Sequence, residues 1–237
     1  MEERSENPGE TEVENRYLKY TFFKVSREWR FLEQDLKEEA RGEFLEKLGG
    51  RTGIDLSFFS LVGIRGDTDF MILANSPSLD PFQALISDIL ATKLGRYLET
   101  PYSYLTMTRR SHYLGSHRHA GQEGTDDRPP SGSKFIFVYP FVKKREWYKL
   151  PFVERQKMMA EHFKVGHKYP RIKINTGYSF GLDDQEFVLA FEGDDPSEFL
   201  ALVEELRSSD ASMYTQLETP IFTCRRVEPR RMLEMIG

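Results

Sequence analysis

The chain has 237 residues, 33 Lys and Arg against 38 Asp and Glu, a net charge of −5, and a composition 39% hydrophobic and 30% charged. That is the profile of a globular protein with material for one large domain or two of ~100–150 residues, and the negative balance gives no support to general nucleic-acid binding. No apolar run approaches the ~18 residues of a membrane span, and Cys224, the only cysteine, excludes an intrachain disulfide and any multi-cysteine metal or iron–sulfur site.

Residues 1–16 are acidic and lack the apolar stretch of a secretory signal, so they read as a disordered lead-in and the expected location is cytoplasmic. Tyr17 to Val25 reads as a strand. Ser26 can cap a following helix whose apolar residues Trp29, Leu32, Leu36, Phe44, Leu45 and Leu48 keep helical spacing until Gly49 and Gly50 stop it. Two strands follow, IDLSFFSLVGI and DFMILA, turned at Arg65-Gly66-Asp67. Asp80-Pro81 opens a second helix with Phe82, Leu85, Ile86, Ile89 and Leu90 inward, and YSYLTMTRR closes the unit. The order is β-α-β-β-α-β, the ferredoxin-like pattern.

The second half repeats it. KFIFVYPFV, IKINTGYSF, EFVLAFE and MYTQLETPIFT read as strands; Pro151 to Phe163 and the segment opened by Asp195-Pro196 read as helices, the latter with Phe199, Leu200, Val203 and Leu206 inside. Arg27-Glu28-Trp29 recurs as Arg145-Glu146-Trp147, and Asp80-Pro81 as Asp195-Pro196. The fold class is therefore α+β, two fused ferredoxin-like units (17–110 and 134–226) whose sheets can join into one larger sheet or barrel. Residues 111–133 form a turn-rich linker carrying His112, His117 and His119, and 227–237 read as a C-terminal tail. The three histidines suit a metal site or a flap, or are simply solvated; no Cys, Asp or Glu completes a recognisable ligand spacing.

The richest stretch is Tyr139 to Phe163, where a strand end, a basic-aromatic corner and a helix meet. His162 follows Met158 and Met159 at helical spacing, which points its imidazole into apolar surroundings. There it can bind haem iron, or be a core histidine satisfied by a carbonyl; both readings stay open. Tyr139 can serve redox chemistry or be an interfacial aromatic. Lys143 and Lys144 suit acidic groups at a pocket mouth or plain surface, and Trp147 suits a macrocycle or a core. Asp183 and Asp184 are most simply turn residues.

YPFVKKREW, the Glu161-His162-Phe163 helix end and YSFGLDDQEFVLAFEGDDPSEF together resemble the chlorite dismutase-like superfamily, which holds coproheme decarboxylases, chlorite dismutases and haem-dependent peroxidases. The resemblance implies haem b or coproheme held by the C-terminal unit alone, and a homo-oligomer, usually a pentamer. His162 matches the proximal histidine, the metal ligand. Tyr139 matches the tyrosine that, in coproheme decarboxylases, forms the radical attacking a propionate. Lys143 matches the lysine four positions on, and Trp147 an aromatic near the haem. Chlorite dismutases carry a distal arginine in the strand before GLDD, where this chain has Ile174; Arg171 is a poor stand-in, and a one-residue indel would bring Asn175 there instead. They also carry a glutamate supporting the proximal histidine, where Ser212 stands here. The activity implied is a haem-dependent, peroxide-using oxidoreductase of the coproheme decarboxylase type, making haem b with iron porphyrin and hydrogen peroxide as partners. The alternatives are chlorite turnover, which Ile174 disfavours, and haem binding without turnover.

Overall fold

The structure is a computed structural model that describes residues 15–109, 113 and 132–237. The N-terminal lead-in through residue 14, most of the linker, and with it His112, His117 and His119, lie outside the described residues. The first unit comprises β1 (Tyr17–Val25), α1 (Gln34–Leu48), β2 (Asp55–Ser60), β3 (Phe70–Ser76), α2 (Asp80–Ala91) and β4 (Leu98–Met107). The second comprises β5 (Phe135–Lys143), a short α3 (Arg145–Lys149), α4 (Phe152–Gly166), β6 (Lys173–Tyr178), β7 (Phe187–Gly193), α5 (Pro196–Arg207), β8 (Thr215–Leu217) and β9 (Phe222–Arg226). β1 and β5, and likewise α1 and α4, are offset by 118 residues, the same spacing as the repeated Arg-Glu-Trp corner.

All pairings between these strands are antiparallel. Within each unit the strands run in ferredoxin-like order, β4-β1-β3-β2 and β6-β7-β5-β9. The units join at two seams, Phe59↔Arg226 with Ser60↔Arg225, and Met107↔Tyr178, so eight strands close into a barrel and leave few open edges. At the second seam Gly177 is required: a Cβ there would lie 2.0 Å from Thr106 Oγ1.

The period-two alternation of strands sorts side chains into an inner and an outer set. Tyr20, Phe22, Ile136, Val138, Val188 and Ala190 fill the barrel interior. Phe23, Val25, Phe70 and Ile72 face outward beneath α1 and α2. Phe137, Tyr139, Leu189 and Phe191 face outward on the side of α4 and α5.

Four expectations change. The helix expected from Ser26 breaks: Arg27–Phe31 is one 3₁₀ turn and α1 begins only at Gln34, which shifts the helical phase and leaves Leu36 exposed. Leu90 and Leu200, each beside an inward residue, are also turned out. MYTQLETPIFT is not one strand but a 3₁₀ turn (Asp210–Tyr214) followed by β8 and β9, parted around Pro220, which has no N–H to donate to a ladder. Finally, the segment read as a tail contains α6 (Pro229–Met235), and residues Met232, Leu233 and Ile236 enter the first unit's core. A seven-residue helix is too short to stand alone, and burial of those apolar side chains holds it. Gly237 also accepts a 2.6 Å hydrogen bond from Trp29 Nε1 through its carbonyl.

Candidate functional site: a cavity under the second helix pair

In the second unit the space between the outer sheet face and the helices is not filled. A cavity of about 450 Å³ lies there, and Tyr139, Lys143, Trp147, His162 and Ile174 all line it. A site of this size suits a small organic ligand or cofactor.

On the helix side, α4 presents Arg155, Met159, His162 and Gly166 to the cavity, a stripe at spacings of four, three and four. Burial, helped by the positive charge of Lys143, drives the His162 pKa down to about 4, so the imidazole is neutral at physiological pH. Its described contacts are a ring contact with Phe163 and that charge; neither nitrogen has a hydrogen-bond partner among the described residues. Among the described residues no carbonyl satisfies the ring, as the core-histidine reading would require. A neutral, uncommitted nitrogen in an apolar cavity is a competent ligand for a metal centre. Ser212, another cavity residue, gives no support to the imidazole: its hydroxyl is engaged with the carbonyls of Arg207 and Ser209, at 2.8 and 2.7 Å.

On the sheet side, Tyr139 is 5% exposed and stacks on Phe191 with ring centroids 5.9 Å apart. Burial, with the Glu218 charge added, holds its phenol protonated far into the alkaline range. Lys143 emerges at the end of β5. Its Nζ donates to the Ala211 carbonyl at 2.8 Å and sits 4.5 Å from the ring centroid of Trp147. Burial lowers its pKa to about 8, while Glu186 and Glu218 resist that fall. Trp147 is buried against Tyr214, ring centroids 5.4 Å apart, and so fixes the corner after β5. Lys144 is exposed, its backbone N–H bound to the Tyr214 carbonyl at 2.7 Å.

Strand alternation decides what β6 offers. Ile174, Thr176 and Tyr178 line the cavity, whereas Asn175 is on the other face, where its Nδ2 donates to Glu192 at 3.0 Å. Arg171 pairs with Glu198 at the surface. The residue on this wall is thus Ile174. Asp183 stays in its turn, accepting the Leu105 backbone N–H at 2.7 Å and tying the second unit to β4.

Sequence reasoning missed several polar groups. Glu186, buried just before β7, accepts the Lys143 backbone N–H at 2.8 Å, the Tyr148 hydroxyl at 2.5 Å and an Arg145 N–H at 3.3 Å. One carboxylate therefore fixes two cavity-wall residues. Arg207 also lines the cavity, paired with Glu218 at 2.6 Å. Arg155 could have been found, since it lies seven residues before His162 and so on the same helix face; Glu186 could not, because nothing local marks an acid at a strand start as buried.

A flat macrocycle with acidic edges fits what is present: an uncommitted imidazole, apolar walls from Ile174, Leu189, Phe191 and Leu206, and cations on Lys143, Arg155 and Arg207. An eight-stranded antiparallel barrel with helix pairs outside, and one such cavity under the second pair, defines a dimeric α+β barrel protein. The sequence profile described as chlorite dismutase matches residues 33–227, and a coproheme decarboxylase of Mycolicibacterium smegmatis is 32% identical over 220 residues, 92% of this chain and 93% of its own. The chain belongs to the chlorite dismutase family. Among solved structures, the chlorite dismutase of Candidatus Nitrospira defluvii in complex with imidazole superposes with a TM-score of 0.85 at 21% identity, covering 94% of this chain and 95% of that one. A heme-binding protein from Thermus thermophilus gives a TM-score of 0.79 at 22% identity over 94% and 96% of the two chains. At those identities the likeness speaks for the fold alone.

Proposed function

We propose that this protein is a haem-dependent, peroxide-using oxidoreductase of the coproheme decarboxylase type, converting propionate side chains of coproheme towards haem b. The observation that carries the reading is the meeting, in one cavity, of an uncommitted neutral imidazole with a buried protonated tyrosine and a lysine of lowered pKa. The relative at 32% identity, a coproheme decarboxylase, supports the same substrate class.

His162 would hold the iron, and the apolar walls would bind the macrocycle and exclude water. The redox chemistry would be supplied by the bound iron porphyrin with hydrogen peroxide. Tyr139 keeps its proton on the hydroxyl oxygen at all physiological pH values and presents an O–H, never a phenolate, to an acidic side chain of the substrate. Lys143 is mostly protonated at neutral pH, so its Nζ orients a carboxylate as a cation; with its pKa near 8 it can also release that proton. Glu186 keeps Lys143 and Tyr148 in place. Peroxide use, a cytoplasmic location and a pentameric assembly belong to the same proposal; no helix among the described residues is long and apolar enough to cross a membrane.

A second reading has one observation in its favour. Ile174 is apolar where a polar group would assist peroxide bond cleavage, which suits a haem-binding protein without turnover. Incubation with ferric coproporphyrin III and hydrogen peroxide, followed by mass spectrometry, decides between the two. Successive losses of carbon dioxide and two hydrogens, as each propionate becomes a vinyl group and hydrogen peroxide is reduced to water, support the decarboxylase if they stop in Tyr139→Phe; binding with no mass change supports the second reading. Oxygen release from chlorite would instead support the family's namesake activity.

A further inference from the structure

We infer that Arg155 is a carboxylate anchor: its guanidinium takes one acidic side chain of the cavity's ligand, an inference that rests on the tetrapyrrole reading of the site. Arg155 lines the cavity, yet its Nε is buried with no hydrogen-bond partner among the described residues. Its described hydrogen bond runs from Nη1 to the neutral hydroxyl of Tyr113, at 3.3 Å. No carboxylate pairs with it among the described residues. Other arginines nearby are engaged by carboxylates, Arg207 by Glu218, Arg145 by Glu186 and Arg171 by Glu198, while Arg109, which also lines the cavity, is exposed and lies against the Tyr178 ring.

A buried charged donor without an acceptor is unfavourable, and such groups are rarely left so in a folded protein. The planar guanidinium fork matches a carboxylate two N–H groups at a time, and a side-on approach through Nε and one Nη would satisfy the orphaned Nε. The surroundings hold the fork in place. The Phe152 ring centroid lies 5.8 Å from the guanidinium carbon, and Tyr113 stacks on Phe152 with an interplanar angle of 9°.

The spacing also fits. Seven residues separate Arg155 from His162, about two turns or ~10 Å along α4. That is comparable to the distance from a tetrapyrrole's centre to the carboxylates on its rim. His162 and Arg155 would thus engage one ligand from one helix stripe, the first at its centre and the second at its edge. A purely bracing role for Arg155, holding Tyr113 at the cavity wall, needs no ligand carboxylate, and this distinguishes the two.

The test uses the full chain and two probes, ferric coproporphyrin III and its tetramethyl ester, titrated by visible absorbance against wild type, Arg155→Gln, Arg155→Lys and His162→Ala. Loss of a charge-assisted pair should weaken the tetracarboxylate about tenfold or more in Arg155→Gln, leave the ester unaffected, and be restored in part by Arg155→Lys, which keeps the charge without the fork. Equal weakening of both probes, or of neither, overturns the anchor and leaves the porphyrin reading standing. If His162→Ala binds with an unchanged Soret band, iron ligation is misassigned, whatever Arg155 does. If wild type takes up neither probe, the porphyrin reading falls and the anchor with it. Thermal unfolding of the ligand-free variants separates a lost contact from a lost fold.

Discussion

The two halves of the barrel are built on one plan and use it oppositely. At the 118-residue offset shared by β1 and β5 and by α1 and α4, His162 corresponds to Phe44, Lys143 to Val25 and Tyr139 to Thr21. Phe44 is fully buried and packs edge-on against Phe70, ring centroids 6.4 Å apart, and Val25 belongs to the same core. In the first unit the space between helices and sheet is closed by aromatic and aliphatic side chains, and α6 seals it further. In the second, α4 buries only Gly166 completely, and the corresponding space is a cavity. A repeat therefore conserves the frame, while the contents of the frame decide between a core and a site.

Each prediction probes that contrast. The largest effect is expected at Phe44→Ala, which removes a fully buried aromatic and should destabilise the protein by about 3–5 kcal/mol in urea unfolding, against little change for His162→Ala at neutral pH. Equal losses would mean the second cavity is no less tightly packed than the first core. Next, Leu233→Ala should lose about 3 kcal/mol although it lies in a segment that reads as a tail. A loss within experimental error would show that α6 does not seal the first unit.

The third concerns acid. His162 has a folded pKa of about 4 against an ordinary 6.5, so between those values the unfolded chain binds a proton that the folded one does not. Stability from this group is present above pH 6.5 and is lost as pH falls towards 4, by up to roughly 3 kcal/mol before solvent entering the cavity reduces it. His162→Phe should flatten that limb, and pH-dependent denaturation curves read it directly. The smallest effect concerns protonation: Glu186→Gln removes a negative charge that holds the Lys143 pKa up. The Lys143 titration, followed by NMR of its ¹³C-methylated amine, should move below its value near 8. An unchanged midpoint would show that Glu186 acts on Lys143 only through its backbone N–H.

Much of this was legible in the chain. The duplicated Arg-Glu-Trp corner gives the repeat, and period-two alternation already puts Ile174 on a different face from Asn175. The five candidate residues converge because β5, β6 and α4 each carry an unbroken local pattern over the stretch concerned, and the short α3 that holds Trp147 directly follows β5. What escaped is non-local. Leu36 is exposed because the chain breaks at Leu32–Glu33, which the apolar spacing does not signal. Glu186 reads as the start of a strand and becomes a junction only when β5 and α3 are packed on it.

The sequence alone thus determined the repeat, most of the strands and helices, and which copy holds the tyrosine, lysine and histidine, because periodicity is a local property of the chain; it did not show the break after Phe31, the parting of β8 from β9, or α6. Tertiary structure decided which copy is full and which is hollow. Filling depends on what arrives from a distance. The Trp29 indole finds its hydrogen-bond acceptor 208 residues away, at the end of the segment that closes the first unit. The Nε of Arg155, buried at the wall of the second unit's cavity, finds none among the described residues.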